Sequence, residues 1–412
     1  MTDIRPFQAV RPAAHLVSRV AALPYDVYSR QEAYEEAAKD RLSFLNIDRP
    51  ETQFERTHDM YAPEVYRKAG ELLHERMEEH VFIQDEQECY YLYELTMNGR
   101  TQTGLVGCAS IDDYTGNIIK KHENTRPEKE SDRIRHVDAC SAQTGPIFLA
   151  YRRDDVISEV TERTKQSVPL FDFVTPDQVR HRGWRIADSE EIGAIKEAFH
   201  RIHEIYIADG HHRAASAVRV GLKRREEHPG YDGSEEFNYF LSVLFPDDEL
   251  LILDYNRVVK DLNGLTQQQF LQRVAETCEV QKCNSRQKPR EKGCMTMYLG
   301  GDWYHLRIRD QFRSSDPVEG LDVSVLQRKV LFPVLGIRDP KNDCRIDFVG
   351  GRRGLEELEH RVNSTDAVAF AMYPTSIREL FDVADAGRLM PPKSTWFEPK
   401  LLSGLFIHMI EP

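Results

Sequence analysis

The stretch from Ile205 to Ala217 constrains this chain more than any other. Ile205-Tyr206-Ile207-Ala208 reads as the end of a buried strand, Asp209-Gly210 as a turn, and Ala214-Ala215-Ser216-Ala217 as the opening of a helix. A strand running through a tight turn into a helix needs a sheet beside it and a helix packed on that sheet. The chain is therefore expected to mix both kinds of element. Between strand and helix stand an acid, a glycine, two imidazoles and a guanidinium, Asp209 to Arg213. The first turn of a helix offers unpaired N–H groups and a positive dipole end, which suits phosphate or carboxylate. Cations sit badly there for the same reason. His211, His212 and Arg213 thus point to a bound anion, against a bland reading in which Asp209 is a plain N-cap.

The remaining pattern alternates. Ser29 and Glu32 form a capping box for a helix reaching residue 39, and residues 44–47 read as a short strand. Residues 63–79 carry Val65, Ala69, Leu72, Leu73 and Met77 on one helical face. Residues 90–97 and 101–111 flank Asn98-Gly99, the pair favoured in a type I′ turn, so a hairpin is expected there within a larger sheet. Strands over 147–150, 184–187, 237–245 and 250–259 alternate with helices over 155–164 and from 189 onward. A polar, basic stretch over 283–293 marks a domain boundary. The expected division is a core over 1–282 and a C-terminal α/β domain over 283–412 whose segment 390–405 is a candidate to return to the site. The later elements include a helix over 322–335 and a strand over 368–373.

Charge and cysteine usage narrow the function. A net charge of −13 argues against a nucleic-acid-binding surface while allowing one local basic pocket. No apolar run is long enough to span a bilayer, and residues 1–8 lack the apolar core of a signal peptide. The seven cysteines are scattered without a Cys-x-x-Cys pair, which fits reduced thiols in a cytoplasm. A small-molecule substrate is expected, with neither nucleic acid nor membrane as partner and the oligomeric state left open.

A second charged cluster runs from Lys120 to Arg133. Glu123 or His122 could serve as general base, Lys121, Arg126, Lys129 and Arg133 could neutralise a polyphosphate, and Glu128 or Asp132 could hold magnesium. The bland alternative is a solvated helix, although Glu128/Asp132 and Lys129/Arg133 would be like-charge pairs four apart. Asp26, in the turn Pro24-Tyr25-Asp26, is a further carboxylate candidate. Lys393-Ser394-Thr395 follows two prolines and supplies a donor cluster able to close over an anion, or else an ordered surface loop. The chain has no Gly-x-x-x-x-Gly-Lys-Ser/Thr loop, Gly-x-Gly-x-x-Gly, His-Glu-x-x-His or Gly-x-Ser-x-Gly motif.

Six motifs occur in a fixed order: Ile4-Arg5-Pro6-Phe7, Pro24-Tyr25-Asp26-Val27, Leu42-Ser43-Phe44-Leu45, His122-Glu123-x-Thr125-Arg126-Pro127-Glu128-Lys129, Ala208-Asp209-Gly210-His211-His212-Arg213 and Met390-Pro391-Pro392-Lys393-Ser394-Thr395. Together they resemble the bacterial and archaeal proteins grouped as domain of unknown function 1015, over essentially the whole chain. The strand–Asp-Gly-His-His-Arg–helix unit also resembles the phosphate-binding motif of the ParB/sulfiredoxin superfamily, which includes free-serine kinases. That resemblance implies a ParB/sulfiredoxin-like α/β core with a hairpin-containing mixed sheet. It also implies that Gly210, His211, His212 and Arg213 contact the phosphates of ATP, ADP or CTP, and that Asp209 lies near the reacting centre with Mg²⁺. An N-terminal carboxylate acts as base in those kinases, so Asp26 and Glu123 both stand as candidates. A nucleotide-dependent kinase acting on serine or a similar hydroxyl metabolite is the expectation. A non-catalytic nucleotide-binding protein and a phosphohydrolase are the alternatives. No helix-turn-helix segment of the DNA-partitioning members is found.

Overall fold

Asn98 and Gly99 both take left-handed backbone, φ 52° and 78°, as a type I′ turn requires. The hairpin they close is the centre of a nine-stranded sheet in the computed structural model, which describes residues 1–364 and 367–411. The strands are β1 (Ile4–Arg5), β2 (Tyr90–Met97), β3 (Arg100–Ser110), β4 (Ile119–Lys120), β5 (Ile147–Tyr151), β6 (Phe171–Val174), β7 (Arg180–Ile186), β8 (Ile205–Asp209) and β9 (Tyr239–Pro246). Their spatial order is β4-β8-β5-β9-β3-β2-β7-β6, with β1 added to β3. β4 and β8 run parallel, as do β5 and β9, and the other pairs are antiparallel, so the sheet is mixed. β2, β5 and β9 are buried along nearly their whole lengths. Both faces are therefore covered, and continuous apolar runs replace alternation.

Three helices matter for the site: α1 (Pro63–Glu78), α2 (Pro127–Cys140) and α3 (His211–Glu227). α2 packs on both α1 and α3. α3 buries Ala214, Ala217 and Val218 against Leu149, Ile207 and Leu244 of the sheet. Its run of small residues allows close approach. At Gly221 an added Cβ would stand 2.4 Å from the carbonyl oxygen of Phe237, nearer than any side chain tolerates.

The chain forms two compact units, Met1–Leu250 with Pro399–Pro412, and Leu251–Glu398. The second holds a six-stranded antiparallel sheet in the order Cys278–Lys282, Asp302–Ile308, Cys294–Leu299, Val368–Met372, Tyr255–Val259, Ile346–Gly350. The division thus differs from a break at 282/283. The polar stretch 283–293 joins two strands of this one sheet, and it is polar because most of it is exposed.

Local expectations differ at three places. Residues 44–47 do not extend; Leu45–Asp48 is a short helix, with the Asn46 amide donating to the carbonyls of Asp40 and Ser43 at 3.1 and 3.0 Å. The apolar run was too short for its period to distinguish helix from strand. The strand over 250–259 is split at Asp254. Ile252–Leu253 pairs with Trp396–Phe397, whereas Tyr255–Val259 enters the six-stranded sheet. The helix expected over 322–335 is α-helical only over Asp322–Leu326 and continues as a π-helical turn over Gln327–Leu331.

Candidate phosphate-binding site

Three strand ends and one returning segment build the site in the first unit. β4 runs parallel to β8, Ile119 beside Ile205, so the residues that follow it travel toward the Asp209 turn. β5 runs antiparallel to β8, which sets its leading residues, Thr144-Gly145-Pro146, beside the end of β8. The register slips between Ile207 and Asp209, and such a bulge re-aims the side chain at its end. Residues 399–403 return to the first unit and bring Lys400 and Ser403.

Asp209 Oδ1 accepts the N–H of Gly210 at 2.8 Å, and Oδ2 pairs with Lys400 Nζ at 2.9 Å. Burial opposes ionisation of this carboxyl. Lys400, Arg213 and the Gly210 amide nonetheless hold it well below the usual carboxylate range. Gly210 has φ 92°, and a Cβ there would stand 3.1–3.2 Å from the Arg213 guanidinium. Backbone conformation and close approach both require glycine. α3 begins at His211 with no side-chain cap on its first turn, so its leading N–H groups suit an anion.

The imidazoles divide into two roles. His122 and His211 are buried and meet edge to face, centroids 4.5 Å apart. Burial pushes His122 down to about 4, against the pull of Asp209, and pushes His211 well below its usual range, helped by His122. Both rings are neutral at pH 7. His122 Nδ1 and His211 Nε2 are buried without a hydrogen-bond partner. Orphaned buried polar atoms call for a water or ligand. His212 Nε2, by contrast, accepts the backbone N–H of Arg126 at 2.9 Å and ties the start of α2 to the start of α3.

Neutral burial of His122 has a measurable consequence. An unfolded histidine takes up its proton near pH 6.5, whereas folded His122 does so only near 4. Between these values the unfolded state binds more protons, so stability falls as pH falls. In His122→Phe, the pH slope of unfolding free energy from urea titrations between pH 6 and 4.5 is expected to be shallower by about 1.4 kcal/mol per pH unit. An unchanged slope would mean that the folded ring is protonated.

Beside the turn lies a pocket of about 450 Å³, open solvent included, lined by Tyr25, Asp48, Arg133, His136, Gln143, Thr144, Gly145, Arg213 and Ser403 among others. Arg213 Nη1 donates to the Pro146 carbonyl at 2.5 Å. Arg133 Nη2 meets Asp132 at 2.8 Å, and its guanidinium lies 4.0 Å from the Tyr25 ring centre. Burial works against the Arg133 charge, but Asp132, Tyr25 and Asp48 more than offset it. Burial pushes Tyr25 up to about 12, with Arg133 and Arg213 pulling the other way. Two guanidiniums thus line one small space, Arg133 with Asp132 as its partner, an arrangement that suits an anion.

Several of the predicted residues come together in the first unit. Asp209, Gly210, His211, His212 and Arg213 form the turn, His122 packs on His211, and Arg133 shares the pocket with Arg213. Arg126 joins through its backbone. Asp26 is exposed one residue beyond the pocket-lining Tyr25, and Glu128 and Lys129 are exposed on the first turn of α2. Glu123 follows His122 on the loop from β4. Lys393, Ser394 and Thr395 belong to the second unit. Among the described residues no group of three or more His, Cys, Asp or Glu side chains is placed to hold a metal ion by itself. Asp209, expected to hold magnesium with Glu128, carries an ammonium partner in Lys400. Sequence reading missed Lys400, Asp48, Gln143, Thr144 and Ser403. Only Lys400 left a signal, a cation opening the apolar run Leu401-Leu402.

Fold and site define a mixed α/β protein with a candidate anion site at a strand-to-helix turn. The chain belongs to the family described as Protein of unknown function (DUF1015), whose pattern matches residues 4–324. No curated protein matches it significantly. Among solved structures it is similar to free serine kinase in complex with AMP, at 15% identity and TM-score 0.34, over 70% of this chain and 85% of that one. It is also similar to C-terminally truncated SbnI from Staphylococcus aureus, at 13% identity and TM-score 0.38, over 72% and 85%. A conserved hypothetical protein from Pyrococcus furiosus gives 17% identity and TM-score 0.33, over 70% and 88%. Among the described residues no helix is long and apolar enough to cross a membrane.

Proposed function

We propose that this protein binds a nucleotide by its phosphates and transfers a phosphoryl group to a hydroxyl of a small metabolite. The observation that carries this reading is the pairing of Arg133 and Arg213 in one pocket beside an uncapped helix start. Phosphoryl transfer depends on positioning and charge neutralisation more than on covalent chemistry, and this site supplies both from rigid elements. The Gly210 turn lets the backbone approach the phosphates, Arg213 and Arg133 carry their charge, and Lys400 keeps Asp209 ionised. The orphaned nitrogens of His122 and His211 offer further polar contacts to a bound group. The Asp209-to-Arg213 motif resembles a known nucleotide-phosphate turn, which favours a nucleotide over a simple anion. A small-molecule acceptor such as serine follows from the same resemblance.

Isothermal titration of the full chain with ADP, ATP and CTP, with and without Mg²⁺, tests the reading. Micromolar binding of at least one nucleotide is expected, followed by ADP formation from ATP in a panel of hydroxy-amino acids and hydroxy acids. Absence of nucleotide binding overturns the proposal. Binding without turnover would make the protein a nucleotide sensor, and phosphate release without an acceptor would make it a hydrolase.

A further inference from the structure

Among the described residues Asp48 is the one acid lining the pocket that Arg133 and Arg213 share. It ends the short helix Leu45–Asp48 and is 3% exposed. A carboxylate removed from water needs a cation or hydrogen-bond donors to offset its lost hydration. Asp48 has little of either. Thr144 Oγ1 donates to Oδ1 at 3.1 Å, and among the described residues no group bonds Oδ2. Arg133 reaches only the backbone, its Nη1 donating to the Asp48 carbonyl at 3.4 Å, while its own acid partner is Asp132 at 2.8 Å. A buried polar oxygen left over at a pocket wall calls for a donor from a bound molecule.

A short path leads from Asp48 to Arg213. Thr144 is followed by Gly145, where an added Cβ would stand 3.3 Å from Ser403 Oγ and 3.7 Å from Arg213 Cδ. One step along the chain thus separates the hydrogen-bond partner of Asp48 from the arginine assigned to phosphates. Ser403, 2% exposed, lines the same pocket and adds a hydroxyl there. The other acids near the turn are occupied or outside. Asp132 is held by Arg133 and by the Tyr66 hydroxyl at 2.8 Å, and Asp209 by Lys400 at 2.9 Å. Asp26 and Glu128 are exposed. Of these carboxylates Asp48 alone lines the pocket.

We propose that Asp48 is the general base of this site, its Oδ2 accepting the proton of the acceptor hydroxyl. This role rests on the kinase reading of the same pocket and supplies the proton acceptor that reading leaves unassigned. The acceptor oxygen forms its bond to the terminal phosphorus of a nucleoside triphosphate as the bond from that phosphorus to the bridging oxygen breaks. The nucleoside diphosphate leaves with the electron pair, and the hydroxyl proton passes to Asp48. A positioned carboxylate is what phosphoryl transfer asks of its base. Asp48 is positioned by Thr144 on one side and by the helix that ends at it on the other. The phosphates then lie at the guanidiniums and the acceptor hydroxyl at the Thr144 end of the pocket.

Asp48→Asn, an isostere that still accepts from Thr144, tests it in the full chain. The readouts are nucleotide titration and ADP formation from ATP with a panel of hydroxy-amino acids and hydroxy acids. Nucleotide affinity is expected to stay within about threefold while kcat falls by about 100- to 10,000-fold, the usual share of general acid–base catalysis. Thr144→Val removes the hydroxyl that holds the carboxylate. It should lower kcat about tenfold at unchanged nucleotide affinity, because a misplaced base is a slower one, and it decides the matter should Asp48→Asn fail to fold. Turnover by folded Asp48→Asn within about tenfold of wild type overturns the assignment and leaves the kinase reading standing. So does a gain in nucleotide affinity at unchanged kcat, the mark of an acid that merely balances Arg133. Wild-type protein that binds no nucleotide, or binds it without forming ADP, overturns the kinase reading and the role of Asp48 with it.

Discussion

Replacing Arg213 with alanine is expected to weaken nucleotide binding by between about 10- and 150-fold, the range for losing hydrogen bonds to a charged group. Arg213 is the cation closest in sequence to the turn, its guanidinium faces Gly210, and it lines the same pocket as Arg133. Lysine at 213 restores charge but not the planar fork, so Arg213→Lys should fall between the two. The side chain also anchors the Pro146 carbonyl, and its loss should reduce stability by about 1 kcal/mol. Thermal melting separates the effects, since a binding defect that merely follows unfolding disappears well below the melting midpoint. Binding of all three nucleotides unchanged in folded Arg213→Ala would remove the pocket from the phosphate site.

Much of this site was legible because its core is contiguous in sequence. Asp209 to Arg213 announce themselves by chemistry out of place, two imidazoles and a guanidinium where a helix start disfavours cations. His122 was legible for a related reason, lying in a charged run just after the strand end Ile118-Ile119. Its pairing with His211 needs the parallel register of β4 and β8, which no local pattern encodes. The hairpin at Asn98-Gly99 was equally clear, because turn chemistry is local.

What escaped detection depends on long-range closure. Asp48 follows a segment, 44–47, that reads as a strand, yet the Asn46 side chain caps nearby carbonyls and turns the segment into a helix. That turn places Asp48 in the pocket, with Thr144 Oγ1 donating to its carboxylate at 3.1 Å. Lys400 reaches Asp209 only because the chain leaves the first unit after Leu250 and returns at Pro399. The same excursion explains the misplaced boundary. A polar stretch marks exposure, and an exposed connection between two strands of one sheet has the same composition as a linker. Asp26 and Glu128 were chosen as carboxylates near the right motifs. Both are exposed, which a turn and a helix first turn permit for acidic residues whatever their function.

Lys400→Met should produce the largest stability defect of any single change at the site. The variant leaves Asp209 without its ammonium partner, and breaking a buried pair costs about 3–5 kcal/mol. Here the side chains are 21% and 36% exposed, so water screens part of the loss and about 2 kcal/mol is expected. The pH dependence gives the sign. Folded Asp209 ionises below its unfolded value, so the pair stabilises the fold above about pH 4 and loses that contribution as pH falls through the folded value. Without Lys400 the depression shrinks, and the variant should differ most from wild type at neutral pH and converge with it in acid. Asp209→Asn keeps the oxygen that accepts the Gly210 amide while removing the charge that needs a partner. The double change Asp209→Asn/Lys400→Met should therefore be more stable than Lys400→Met alone, a coupling that a double-mutant cycle in urea measures directly. If the two effects simply add, the contact between Asp209 and Lys400 is not what holds the carboxylate ionised at the turn.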